Sequence, residues 1–388
     1  MGKKSVIYGA GNIGRGFIGQ LMFESGYATT FVDVNEQLVK DLNQRGEYPL
    51  RILEGDAHRD LRIANVSAVD GRSPEDAARA VSKADIMAVA VGANALPYIM
   101  PSLALGISVR HAANGRPLNI LICENLNNAA SHMASLLEAA LPAADHEWFR
   151  NNVGLVETSI GRMVPIQTPE LQDGDPLRIS VEAYAKLPAD GKAFKGSVPD
   201  IAGLQPFSPF QFYVERKLFI HNMGHALAAY GGHYIGAKTI CEAVADPILR
   251  GWIQTCMETS AKALANVYAA EEPPLIEHVA DLLERFANKQ LGDTVFRVGR
   301  DLKRKLAPGD RMMGALALWE KAGLDPEPLR LGVALALRFP DEGFALAAED
   351  ALTEICGLDK KNPAYGRIMQ HYRDAGAGIG LAELIASA

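Results

Sequence analysis

The chain has 388 residues, 48% of them hydrophobic and 22% charged, with a formal net charge of −7; these are the proportions of an ordinary folded protein and exclude disordered, collagen-like and low-complexity classes. Its length exceeds the ~250–300 residues at which a single core stops growing, so two domains are expected. The acidic balance argues against a global field for nucleic acid or an anionic membrane and points to small-molecule partners, and no run of ~18 uninterrupted apolar residues is expected to span a membrane.

The opening MGKKSVIYGAG has two lysines but only a short apolar run and no small-residue cleavage site, so it does not read as a signal peptide. Four cysteines, Cys123, Cys241, Cys256 and Cys356, are scattered without C-x-x-C spacing. Neither a zinc site nor a disulfide framework is suggested, and a reducing cytoplasm fits best.

In chain order, SVIYGAG (5–11) is a short strand running into glycines, followed by a helix from about 13 to 26, a second strand ATTFVDV (28–34) and a second helix. Within GAGNIG, residues Gly9, Ala10, Gly11, Asn12, Ile13 and Gly14 fit G-x-G-x-x-G between a strand and an apolar helix. That chemistry needs the first glycine for a tight turn, the second for backbone approach to a pyrophosphate, and the third for close helix–strand packing. The helix N-terminus then meets the phosphates with unpaired N–H groups. Asp33 ends the second strand 19 residues after Gly14, where a carboxylate hydrogen-bonds the adenosine ribose and repels a 2′-phosphate. Val34 and Asn35 supply no arginine, so NAD is expected rather than NADP. Arg15 is placed either to touch the pyrophosphate or simply to be solvated.

ADIMAVAVG (84–92) and LNILICEN (118–125) have the continuous apolar character of strands buried on both faces. Val91 and Gly92 would end the first of these near the cofactor. Strands separated by helices imply βαβ units and a parallel sheet. VGLVETSIGRMVP and LRISVEAYAKL extend the sheet region, and GSVPDIAGLQPFSP (196–209) is dense enough in Pro and Gly to be the linker. The expected division is a Rossmann-type α/β domain over 1–196 and a mainly α-helical domain over 197–388, with helical runs at 216–230, 236–270, 275–288, 311–321, 327–338 and 342–355.

ERKLFIHNMGH (215–225) sets polar groups in an apolar helical segment. At 100° per residue from Lys217, His221 falls at about 40°, His225 at about 80° and Asn222 at about 140°, on one side of a helix. An enzyme that moves hydride from an alcohol must also take the hydroxyl proton. Zinc ligand spacing and a Tyr-x-x-x-Lys in the expected place are both missing, and the segment at 215–225 offers a lysine. Farther on, RVGRDLKRKLAPGDR (297–311) is a local excess of cations. If helical, Arg297, Arg300 and Arg304 fall within ~60° of one another and, with Lys305, suit a phosphate or carboxylate; a solvated charged face is the alternative.

K-x4-N-x2-H, as Lys217, Asn222 and His225, resembles the signature of the polyol-specific long-chain dehydrogenases, the mannitol dehydrogenase family. So do CEN at 123–125, with Asn125 after a strand, the GAGNIGRGFIG opening, the ERKL lead-in, FKG at 194–196 and RVGR…RKL…GDR at 297–311. The resemblance implies an NAD-dependent, zinc-independent hydride transfer. In it Lys217 is the general acid or base, Asn125 and Asn222 hold the substrate oxygen, and His225 orients the substrate or polarises that oxygen. The short chain and these motifs resemble family members acting on a polyol phosphate and its ketose phosphate; another polyol, a uronate or another sugar phosphate is the alternative. Gly161 stands where the family commonly has an aspartate, Asn127-Asn128 replaces a segment with an arginine, and His221 stands where an apolar residue is usual. A monomer and a homodimer suit the Ala-rich helices equally.

Overall fold

The apolar runs of the first half become a six-stranded, wholly parallel sheet. The computed structural model describes residues 2–54, 57–126 and 128–388, in two units that divide between Phe210 and Gln211. The first unit contains strands β1 (Lys3–Tyr8), β2 (Tyr27–Asp33), β3 (Glu47–Glu54), β4 (Ala57–Ala64), β5 (Val66–Asp70), β6 (Ile86–Val89), β7 (Leu118–Ile122), β8 (Val153–Glu157), β9 (Ile179–Glu182), β10 (Leu187–Asp190) and β11 (Leu204–Phe207). The main sheet runs β5-β2-β1-β6-β7-β8, the doubly wound order in which the chain reverses direction across the sheet between its first and fourth strands, β1 and β6.

Side-chain alternation explains why both faces are covered. Val6 and Tyr8 of β1 join Met87, Val89, Ile120 and Ile122 on one face. Ile7, between them, joins Phe17, Phe31 and Leu121 on the other. The β3–β4 hairpin and β9, which pairs parallel to β3, form a second small sheet that the sequence pattern does not announce. Tyr48, Leu50 and Ile52 of β3 point into the core while β4 is mostly exposed, so half of the hairpin has the polar composition of a loop.

The boundary also differs from expectation. β11 pairs with β10 from Leu187↔Leu204 to Asp190↔Phe207, and Ile201 is buried in the first unit's core. The Pro- and Gly-rich stretch is therefore part of the first unit, and the division falls after Phe210 instead of after residue 196. Beyond it, the second unit is helical. The expected run 236–270 is split at Asp246, whose side chain accepts the N–H groups of Ile248 and Leu249 ahead of Pro247 and so starts a new helix over Pro247–Tyr268. Helices Pro363–Gly376 and Leu381–Ala386 were not expected. Among the described residues, no helix is long and apolar enough to cross a membrane.

Candidate active site

The expected site residues fall into two groups, one in each unit. In the first, the glycine loop lies at the carboxyl end of β1, at the point where the sheet order reverses. Gly9 has φ +90°, and a Cβ there would strike the carbonyl of Ala90; a Cβ on Gly14 would strike the carbonyl of Gly9, while one on Gly11 would meet nothing within 4 Å. The first and third glycines are thus required by close packing, and the main chain at the second is open to a ligand, which is the division of labour a pyrophosphate cradle needs.

Asp33 holds the loop's shape. Its Oδ2 accepts the N–H of Ala10 at 2.7 Å and its Oδ1 that of Asn35 at 2.9 Å, and the side chain remains partly exposed. No arginine neighbours Asp33 in the sequence, but the sheet brings one, because β5 pairs with β2 and Gly71 donates to the carbonyl of Asp33. The guanidinium of that arginine, Arg72, is taken by Glu36 at 2.5 Å and Asp70 at 2.6 Å. Arg15 is not solvated. It is buried, donating to the carbonyls of Ala10 and Leu177, each at 2.6 Å. It therefore braces the glycine loop from behind. Asn12 is exposed, whereas Ile13 is half-buried and packs on the core.

The helix after the loop opens with a π-turn over Gly14–Ile18, in which the N–H of Gly19 reaches back to the carbonyl of Gly14. The carbonyl of Arg15, which an α-helix would pair with that N–H, accepts the buried hydroxyl of Tyr48 at 2.7 Å instead. Asn125 follows β7 and is exposed. At Gly161, a Cβ would press on the ring of Tyr184 at 3.0 Å, so that aromatic ring occupies space an aspartate would need. Asn128 is exposed with φ +54°; Asn127 lies outside the described residues.

In the second unit, the segment expected as one helix is three pieces: α-helical Gln211–Arg216, a π-turn over Lys217–Asn222, and α-helical Met223–Tyr234. The i→i+5 pattern of a π-turn stacks residues five apart, which carries Asn222 toward Lys217 from the wide angle a regular helix gives. Gly224 lies within the last piece, where a Cβ would strike Met257. Burial and then the Arg311 cation lower the Lys217 amine from 10.5 to about 8. Glu215, two residues before Lys217, accepts from Gln211 Nε2 at 3.1 Å.

His225 stacks on Phe286 with centroids 4.9 Å apart and rings inclined by 12°. Its Nε2 lies 3.4 Å from Asp293 Oδ2 without forming a hydrogen bond. Burial, then Arg297, Lys305, Arg311 and Arg285, push the ring down to about 3, so it is neutral. His221 is buried beside Phe286; burial and the cations around it hold it well below the usual range.

The basic run is not one helical face. It is Val295–Gly299 and Leu302–Lys305, broken at Arg300 and at Asp301, whose φ is +70°. Gly299 lies directly beneath the ring of Phe339. Arg297 pairs with Asp293, and Arg304 pairs with Asp301 at 2.6 Å. Lys305 is buried, donating to the carbonyls of Val298 and Arg300 that the break leaves over. Burial, then Arg311 and Arg304, lower it to about 7. Arg300 is exposed. The expected alignment of Arg297, Arg300 and Arg304 therefore fails, because two of the three are turned to carboxylates close to them in the chain.

Asp293, which pairs with Arg297 beside His225, and Arg311, the cation acting on Lys217, were not singled out from the sequence. Their signal was present only as position within the D-T…R-V-G-R…G-D-R stretch.

Residues 3–203 match the model of the mannitol dehydrogenase Rossmann domain, and residues 210–357 that of the mannitol dehydrogenase C-terminal domain. Among solved structures, mannitol 2-dehydrogenase from Pseudomonas fluorescens, in a ternary complex with NAD and D-mannitol, matches with a TM-score of 0.76 at 16% identity, over 99% of this chain and 94% of that one. A substrate-free D-sorbitol dehydrogenase matches with a TM-score of 0.77 at 16% identity, over 98% of this chain and 90% of that one. At that identity the structural likeness concerns the fold.

Proposed function

The chain belongs to the mannitol dehydrogenase family, and from that premise we propose that it interconverts D-mannitol 1-phosphate and D-fructose 6-phosphate with NAD. The observation that carries the reading is the Lys217 amine, half-buried on a π-turn and lowered to about 8 by desolvation and the Arg311 cation. A free lysine, near 10.4, is almost wholly charged at neutral pH and a poor base. At about 8 it accepts and returns a proton within the working range.

NAD, when bound, supplies the hydride acceptor. The glycine loop supports pyrophosphate binding, Asp33 the ribose, and the capture of Arg72 by Glu36 and Asp70 supports NAD over NADP. In oxidation, neutral Lys217 takes the C5 hydroxyl proton as the hydride leaves C5. The amide group of Asn222 holds the oxygen, and the neutral ring of His225 orients the substrate. In reduction the protonated lysine returns that proton to the new hydroxyl.

Four basic groups, Arg297, Lys305, Arg311 and Arg285, act on His225; three of them pair with Asp293, Asp310 and Asp281, and it is their gathering at one place that supports an anionic substrate. A second reading, a free polyol, is favoured by the commitment of Arg297, Arg304 and Lys305 to partners within the chain. NADH oxidation by purified protein with fructose 6-phosphate, fructose and a ketouronate separates them. A charged contact is worth ~1.5–3 kcal/mol, so the phosphate ester should exceed fructose by roughly 10- to 100-fold in kcat/KM. Equal values would overturn the phosphate, and no oxidation with any polyol ketose would overturn the dehydrogenase.

A further inference from the structure

Glu124 follows β7 directly, between Cys123 and Asn125. The register of β7 on β6 continues through the bond from Cys123 N–H to the carbonyl of Val89, which sets the Glu124 side chain beside the turn that leaves β6. Its Oε1 accepts two consecutive main-chain N–H groups, Val91 at 2.8 Å and Gly92 at 3.1 Å. The φ of +90° at Gly92 aims both groups the same way, making a small concavity that attracts an anion. Burial raises the carboxyl above its ordinary value, while the two N–H groups pull it back.

The turn that Glu124 holds also touches the glycine loop. The carbonyl of Ala90 occupies the place of a Gly9 Cβ, and Val91 Cγ1 is 3.3 Å from that point. The glycine loop, the Val91–Gly92 turn and Glu124–Asn125 follow the carboxyl ends of three neighbouring strands, β1, β6 and β7. Left empty, the N–H pair would compete for a cofactor phosphate with the helix N-terminus after the loop, and the turn would be free to shift against Gly9.

We infer that Glu124 is a positioning residue for the dinucleotide: by filling the N–H pair with its own oxygen, it fixes the Val91–Gly92 turn against the glycine loop and ties it to Asn125. The inference rests on the reading that NAD occupies this end of the sheet. What the turn requires is an acceptor oxygen at the right reach; charge is secondary.

The test is NADH affinity, from fluorescence of the bound nicotinamide, for the full-length wild type and three variants, each confirmed folded by its melting curve at the assay temperature. Glu124→Ala, which strands two N–H groups, should raise Kd about tenfold. Glu124→Asp, too short to reach both, should fall between that and the wild type. Glu124→Gln, whose amide oxygen accepts both, should stay within about threefold of the wild type. An Ala variant that binds NADH as the wild type does would overturn the inference. So would a Gln variant as weak as Ala, since charge would then be the requirement. If Ala does not fold, the other two variants decide: Asp weaker than Gln supports the inference, and equal affinities overturn it. A wild type that fails to bind NADH removes the NAD reading, and the inference with it.

Discussion

Two short π-turns, Gly14–Ile18 in the first unit and Lys217–Asn222 in the second, put one backbone irregularity to different ends. The first is rich in glycine. Its purpose is proximity: Gly16 leaves room for Ile179 and Val181 of the small sheet, and Gly19 for the Tyr48 hydroxyl and for Phe31 of the main sheet, so the helix approaches both sheets and presents its N-terminus beside the glycine loop. The carbonyl it releases is paired by Tyr48. The second turn is marked by polar side chains, Lys217, His221 and Asn222, in surroundings that lower the Lys217 amine to about 8. A π-turn alone therefore names no function; the residues on it and the dielectric around it decide.

The contrast is sharpest at Lys217. Replacing it with methionine should lower the turnover number about 1,000-fold, within the usual 10²–10⁴ for a general acid–base group, while NADH affinity stays unchanged. The same change should raise stability at neutral pH. Folding lowers this amine from 10.5 to about 8, so its charged form is disfavoured in the folded state. The penalty, on the order of 3 kcal/mol, is fully present below pH 8 and fades as pH rises toward 10.5. A melting temperature that falls in Lys217→Met would erase the distinction between a chemical turn and a structural one.

Tyr48→Phe tests the other side. Losing the hydroxyl strands the buried carbonyl of Arg15 and should cost about 1–3 kcal/mol in urea unfolding, with the turnover number at saturating substrate and NADH kept. Unchanged stability would show that the released carbonyl finds another donor.

The smallest effect concerns Arg311, second to burial in lowering Lys217. In polyol oxidation, activity should rise with pH through a midpoint near 8. Arg311→Gln should move that midpoint upward by less than about one pH unit, because the dominant cause, burial, remains. An unchanged or lower midpoint would show that this guanidinium does not act on the amine.

Much of the fold was legible because its signals are local. Strands buried on both faces must be continuously apolar, glycines must stand where chain meets chain, and an aspartate at the end of β2 is visible at fixed spacing from Gly14. The hairpin over 47–64 escaped because β4 is mostly exposed and reads as loop. The linker was misplaced because Pro and Gly mark irregular backbone without telling whether a ladder such as β10–β11 will capture it. At the site, spacing singled out Lys217, Asn222 and His225 but treated the helix as regular, and it aligned Arg297, Arg300 and Arg304 on a helix that Asp301 breaks.

The sequence by itself determined the parallel Rossmann-type sheet and the glycine loop, and its spacing picked out Lys217 as the candidate, since each depends on residues near one another in the chain. Only the tertiary structure decided which charges are spent on one another: Arg72 on Glu36 and Asp70, Arg297 on Asp293, Lys305 on stranded carbonyls. It also decided that desolvation and the Arg311 cation together lower the Lys217 amine to about 8. Pairing and desolvation are properties of what surrounds a group in space, and neighbours such as Arg311 and Lys217 are brought together by packing, far apart as they are along the chain.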